Sequence, residues 1–234
     1  MDKKTVLITG GTKGIGRALV SIFSDHGYNI ITCGRNASDL EEITADLNAK
    51  GVSHYVASCD VRSYEPVKAF VANATRHFPV IDVLVNNVGI FIPGKIQEED
   101  IETFTLTLET NLHGSYYFSK ATIPYLKKSQ KPHIFNICSV ASIRAYPNGG
   151  SYGISKYAQY GLTKILREEL MEDKIAVTAV LPGATRTGSW DGTDLPDSRF
   201  IAPMTVAKTI INTYEMPQDA VVEDIVIRPM EGDI

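Results

Sequence analysis

The chain has 234 residues, of which 44% are hydrophobic and 21% charged, and a formal charge of −4. These values suit one soluble α/β domain, residues 1–234, with a sizeable core. They give no basic surface for nucleic acid or an anionic membrane, and no apolar run approaches the length of a membrane span.

Thr5 to Thr9 is a short β-rich run. The glycine-rich turn Gly10-Gly11-Thr12-Lys13-Gly14-Ile15-Gly16 follows, then an amphipathic helix to His26 that Gly27 ends. Met1-Asp2-Lys3-Lys4 runs straight into the first strand, which leaves no room for a targeting segment. Tyr28 to Cys33 reads as a second strand, and Ser38 can cap a helix to about Lys50. Val52 to Ser58 is a third strand, ended by Cys59-Asp60-Val61, and a helix covers Tyr64 to His77. Ile81 to Val85 is a fourth strand, stopped by Asn86-Asn87-Val88-Gly89. Glu98 to Tyr125 is helical with a break near Asn111. His133 to Cys138 is the fifth strand. A turn-rich loop follows, and a helix from Tyr152 to Glu172 has Ser151 as its cap. Ile175 to Leu181 is the sixth strand, ended by Pro182-Gly183. A loop runs to about Pro203, with residues 188–203 as a variable substrate segment. Thr205 to Tyr214 is a last helix and Val221 to Ile227 a last strand.

Strands alternating with helices predict a parallel sheet of about seven strands with helices on both faces. Ligands of such sheets bind at the carboxyl ends of the strands. Cys33, Cys59 and Cys138 each end an apolar run and show no metal spacing. They read as reduced thiols of a cytoplasmic protein that holds no metal.

Tyr-x-x-x-Lys occurs at Tyr64/Lys68, Tyr116/Lys120, Tyr152/Lys156 and Tyr160/Lys164. Only Tyr152 starts a helix that follows a strand ending in a hydroxyl residue, Ser139. Lys156 lies one turn on along the same face. A free phenol has a pKa of about 10, and a nearby ammonium lowers it. Tyr160 lies about 12 Å further along the helix, rotated by about 80°, and should miss the site. Gly10, Gly14 and Gly16 permit a tight turn and close approach of a pyrophosphate to the helix N-terminus.

With these motifs in order, the chain resembles the short-chain dehydrogenase/reductases from its first strand to Thr187. Thr9 to Gly16 matches the family's cofactor motif. Asn86-Asn87-Val88-Gly89 is similar to its Asn-Asn-Ala-Gly motif. Asn111, Ser139, Tyr152 and Lys156 match its catalytic tetrad, and Pro182-Gly183-Ala184-Thr185-Arg186-Thr187 its Pro-Gly motif. The resemblance implies a Rossmann-like, doubly wound fold and hydride transfer at a carbonyl or alcohol. It implies that Tyr152 moves the proton, Ser139 stabilises the oxygen, Lys156 also holds the nicotinamide ribose, and Asn111 anchors a relay water. Gly10, Thr12, Lys13, Gly14, Ile15, Gly16, Asp60, Val61, Asn87, Gly89, Pro182, Gly183, Thr185 and Thr187 would hold the dinucleotide.

An acidic residue ending the second strand would favour NAD. Gly34 stands there instead. Arg35 and Lys13 favour a 2′-phosphate, and hence NADP(H) over NAD(H). Substrate contacts are expected from 90–93, 143–147 and 188–203, which supply Phe91, Arg144, Tyr146, Trp190 and Phe200. Apolar residues around the two long helices, including Tyr116, Tyr117, Phe118, Tyr157 and Tyr160, point to a homodimer or homotetramer. Val221 to Ile234 departs from longer relatives, which argues against a fatty-acid-synthesis ketoacyl reductase. A ketoacyl-thioester reductase and a non-catalytic dinucleotide sensor or scaffold are the alternatives.

Overall fold

The computed structural model describes residues 3–234; Met1 and Asp2, the start of the stretch read above as too short for a targeting segment, lie outside it. Seven parallel strands form one sheet in the order β3-β2-β1-β4-β5-β6-β7. They are β1 (Thr5–Thr9), β2 (Asn29–Gly34), β3 (His54–Ser58), β4 (Val83–Asn86), β5 (His133–Ile137), β6 (Ala176–Pro182) and β7 (Asp224–Ile227). The helices are α1 (Gly14–Asp25), α2 (Ala37–Ala49), α3 (Tyr64–His77), α4 (Ile101–Leu108), α5 (Gly114–Leu126), α6 (Gly150–Glu169) and α7 (Pro203–Glu215).

The alternation of side chains along each strand serves two cores. In β1, Val6 and Ile8 point to one face, where Leu19, Phe23, Ile210 and Tyr214 cover them. Leu7 points to the other face and packs in the cluster holding Val67, Phe70, Phe118 and Leu166. The sheet is therefore doubly wound and Rossmann-like, buried on both sides. The strand order reverses between β1 and β4, and the crevice at their carboxyl ends is where such sheets bind ligands.

Three local expectations change. Asn36, not Ser38, caps α2: its Oδ1 accepts from the Ser38 and Asp39 backbone N–H groups. The Ser38 hydroxyl donates to the same oxygen. Ser151 is not a cap either. The helix begins at Gly150, and the Ser151 N–H and hydroxyl both donate to the Glu99 carboxylate, at 3.1 and 2.5 Å. The break near Asn111 is a π-helical turn, Glu109–His113, which joins α4 to α5 without leaving the helix. Such a turn accommodates one extra residue and turns side chains inward. Asn111 and Thr110 are buried there.

The segment after β6 is folded locally. A bridge between Thr185 and Ile201 closes its base, and two short helical turns, Gly188–Trp190 and Asp197–Arg199, lie within it. Of the aromatic residues expected as surplus surface, Phe118 belongs to the core, and Tyr117 and Tyr160 pack against core clusters. Ile101, Tyr116, Ile154, Tyr157 and Ile165 remain exposed on α4, α5 and α6. Among the described residues, no helix is long and apolar enough to cross a membrane.

Candidate active site

A cleft of about 740 Å³ lies along the carboxyl ends of the strands. The glycine turn forms its floor. Gly10 and Gly14 have φ of 68° and 53°, a region that suits glycine. A side chain at Gly16 would put its Cβ 2.0 Å from the Gly10 carbonyl oxygen, so α1 seats directly on the turn. Gly16 therefore backs the cleft, while Gly10, Thr12, Lys13, Gly14 and Ile15 line it. Gly11, absent from the candidate residues above, is as restricted: its Cβ would lie 2.2 Å from Thr32 Oγ1. The helix start carries no side-chain cap, which leaves backbone N–H groups for an anion. Across the cleft, Thr187 Cγ2 comes within 3.0 Å of a Cβ placed on Gly14. Pro182, Gly183, Thr185 and Thr187 all line that far side.

Asn87 ties the turn to β4. Its Nδ2 donates to the Thr9 and Gly10 carbonyls at 2.9 and 3.1 Å, and its N–H donates to Thr9 Oγ1. At the far end, Arg35, Asp60, Val61 and Arg62 line the cleft beside Gly34. A Cβ on Gly34 would meet Thr12 Cγ2 at 3.0 Å and Leu40 Cδ2 at 3.3 Å, so an acidic side chain has little room. Lys13 turns to Asp39, with Nζ to Oδ2 at 2.8 Å, while Arg35 is exposed at the rim. Arg62 grips Asp60 with Nε and Nη2 at 2.9 and 2.7 Å, a bond that holds the Asp60 carboxyl down at about 2. Sequence reasoning passed over Arg62; an Asp-x-Arg pair at a strand end was the available signal.

At the end of β5, Ser139 begins a short helical turn, Val140–Ser142. Its Oγ accepts from the Ala141 N–H, and its own N–H donates to Ser142 Oγ. Tyr152, in the first turn of α6, stands edge-on to Phe91 with ring centroids 4.8 Å apart. Lys156 Nζ lies 5.8 Å from the Tyr152 ring centroid. It donates to the Ile137 carbonyl and to Gln159 Oε1, both at 2.8 Å. Burial governs both groups. It pushes the Tyr152 phenol up to about 12, against the lowering effect of the Ser139 hydroxyl, and pulls Lys156 down to about 8. The expected lowering of Tyr152 by Lys156 does not prevail, because burial of the phenol dominates. Tyr160 and Lys164 lie apart from the cleft and both donate to Asp224 Oδ2.

Asn111 does not reach the cleft wall. Its Oδ1 accepts from the Ile90 N–H, and its Nδ2 donates to the Ile90 carbonyl and Ser155 Oγ. Gly89 sits between Asn111 and Lys156: a Cβ there would lie 3.4 and 3.5 Å from their polar atoms. Gln159 was not foreseen. It accepts from Lys156 and donates to Ser115 Oγ, and its place one turn beyond Lys156 on α6 carried no motif.

Ile90, Phe91, Arg144, Tyr146 and Trp190 line the other end of the cleft. Phe200 does not. It is buried beneath Trp190, 5.2 Å between centroids, and under the Arg186 guanidinium. Asp233 and Ile234 line this end too, and no local signal pointed to them. Among the described residues, no group of three His, Cys, Asp or Glu is placed to hold a metal.

The sequence matches the short chain dehydrogenase family profile over residues 4–195. Sepiapterin reductase of Chlorobaculum tepidum is 31% identical over 240 residues, spanning 99% of this chain and 98% of that protein. An uncharacterized oxidoreductase of Staphylococcus epidermidis is 29% identical over 230 residues, spanning 98% and 99%. An alcohol dehydrogenase from the archaeon Thermococcus sibiricus, solved with 5-hydroxy-NADP, superposes with a TM-score of 0.91 at 27% identity, covering 98% and 97%. An actinorhodin polyketide ketoreductase variant solved with NADPH gives 0.88 at 26% identity, covering 97% of each chain.

The Lys156 shift has a measurable consequence for stability. Its folded pKa of about 8 lies below the ordinary 10.5, so between those values the unfolded chain binds more protons and stability rises with pH. That shift corresponds to about 3 kcal/mol. Lys156→Met removes the titration, so the stability of the variant relative to the parent should fall by about 3 kcal/mol from pH 7 to pH 10.5. Urea unfolding at both pH values reads this directly. A difference that stays constant with pH would show that Lys156 does not titrate near 8.

Proposed function

This chain belongs to the short chain dehydrogenase family, and on that premise we propose that it reduces a carbonyl to an alcohol, or the reverse, with Tyr152 as the acid/base. The observation that carries the reading is the grouping of Ser139, Tyr152 and Lys156 at one end of a cleft whose floor is the glycine turn. The cofactor is NADP(H), as in the family members of known structure described above, and when bound it supplies or accepts the hydride. The cleft suits it: the glycine turn admits close backbone approach, and the free N–H groups at the start of α1 suit a pyrophosphate.

The chain's own groups divide the remaining work. A phenol held near 12 stays protonated at neutral pH, so Tyr152 is poised as a proton donor to a carbonyl oxygen. The Ser139 hydroxyl donates to the same oxygen and stabilises its developing charge. Lys156 presents its ammonium to the nicotinamide ribose, held in place by Ile137 and Gln159. Asn111 fixes Ile90 and Ser155 behind the cleft wall, a positioning role. Asp60 and Val61, which line the far end of the cleft, would hold the adenine. Phe91, Tyr146 and Trp190 suit a substrate with an apolar or aromatic body. Sepiapterin belongs in the first carbonyl screen with NADPH, given the Chlorobaculum relative.

Tyr152→Phe removes one hydroxyl, so fold and NADPH binding should survive while kcat falls by about 10²–10⁴-fold. Lys156→Ala should weaken both turnover and NADPH affinity, and Tyr160→Phe should leave both near normal. Full reductase activity in Tyr152→Phe would refute the assignment. Absence of NADPH turnover with every carbonyl tried would favour a binding protein without chemistry.

Arg35, at the rim beside Gly34, would hold the 2′-phosphate of NADP(H), and Lys13 would add charge on leaving Asp39. A charge-assisted bond of this kind contributes about 1.5–3 kcal/mol, so NADPH should be preferred over NADH by at least about tenfold. Arg35→Asp should reverse the order. Equal kcat/KM for the two cofactors in the unmodified protein contradicts the role of Arg35.

The protein acts as a homo-oligomer, at least a dimer. Ile154, Tyr157 and Ile165 lie near one stripe of α6, and Ile101 and Tyr116 extend the apolar surface on α4 and α5. Light scattering should give at least twice the chain mass at micromolar concentration. A monomer there would overturn this assembly.

A further inference from the structure

Arg144 is the one guanidinium at the substrate end of the cleft, and it is not free. After β7 the chain makes a tight turn in which the Gly232 N–H donates to the Pro229 carbonyl, with Gly232 at a φ of 87°. The turn carries Asp233 back to the cleft wall. There Asp233 Oδ2 accepts from Arg144 Nη1 at 3.3 Å and from Arg228 Nη1 at 2.7 Å. Arg199 adds a bond to the Asp233 carbonyl and pairs with Glu231. Of these charged groups only Arg144 and Asp233 line the cleft. The segment is thus clamped by three arginines from three different parts of the chain.

We propose that Asp233 sets substrate charge preference: by occupying Arg144 it makes the aromatic end of the cleft a chamber for neutral carbonyl compounds and denies Arg144 to an anionic one. This deepens the carbonyl-reductase reading and rests on it. An arginine beside the reacting centre would otherwise bind a carboxylate through paired N–H donors. With Asp233 in place, a carboxylate entering the chamber must displace an intramolecular partner that Arg144 shares with Arg228. A neutral ketone or ester meets no such opposition. Arg144 is largely exposed and Asp233 about one-third exposed, so the effect is one of partner exchange in a wet site.

Benzoylformate and its methyl ester form a matched pair, one anionic and one neutral, with the same ketone. Trp190 is the sole tryptophan and lines the chamber, so its fluorescence reports binding without turnover. The protein loaded with NADP⁺ should bind the ester at least as tightly as the anion. Asp233→Asn should shift the ratio of affinities toward the anion by about tenfold, the scale of one charge–charge contact, with ester binding within about twofold of the parent. Adding Arg144→Ala to Asp233→Asn should return the ratio to the parent value. With NADPH, kcat/KM for the two compounds should follow the same order. A ratio unchanged in Asp233→Asn, or a parent protein that already prefers the anion, overturns the proposal. If the fluorescence ratio shifts as stated while no variant turns over either compound, the charge filter stands and the carbonyl-reductase reading fails.

Discussion

An ammonium buried inside a protein is costly unless every one of its protons finds an acceptor. Lys156 finds acceptors for two of its three protons, a carbonyl from the end of β5 and an amide oxygen from its own helix. The amide belongs to Gln159, whose other end reaches Ser115 on α5. Ser115 in turn bonds back to Asn111 in the π-helical turn, and Asn111 reaches across to Ser155 on α6. One charge therefore dictates the polar residues on the faces of two helices that meet. A second polar chain lies beneath. Asn86 on β4 donates to Asn136 on β5 and to Ser119 on α5, and Asn136 donates to Thr163 on α6. Sheet and helices are registered here by hydrogen bonds that an apolar interface would not specify.

The arrangement trades stability for function. The depression of Lys156 to about 8 measures how far burial outweighs its two acceptors. The same burial holds Tyr152 neutral. A site exposed enough to relieve either group would lose the environment that separates its titration from that of an ordinary side chain.

Much of this was legible in the chain itself. The β1 run, the glycine turn and α3 stand where their residues place them, because each is a local pattern: apolar alternation, glycine at forced conformations, helical periodicity. The Tyr152/Lys156 pair was separable from Tyr160/Lys164 by its place at a helix start after Ser139 and by the distance and rotation along that helix. What escaped was long-range or chemically generic. Gln159 looks like any polar helix residue until Lys156 is known to turn toward it. Asp233 meets Arg144 across 89 positions of sequence, with nothing nearby to announce the contact. The caps misread at Ser38 and Ser151 fail for a similar reason. A neighbouring amide in one case and a distant carboxylate in the other accept the serine's own N–H, so each serine stands inside its helix as a donor and not ahead of it as a cap.

The π-helical turn at Glu109–His113 has a further bearing on how this chain can vary. An α-helix advances by about 100° per residue, so one residue more or fewer re-aims everything downstream. Before the turn, α4 is phased to lie against α6; after it, α5 is phased to bury Phe118 and Ser119 against α3 and the sheet. The inserted residue lets both phases hold in a nearly continuous rod. Deleting one position between Glu109 and His113 would rotate Ser115 away from Gln159 and Phe118 out of the core at one stroke. Length in this short stretch is consequently far more tightly constrained than composition.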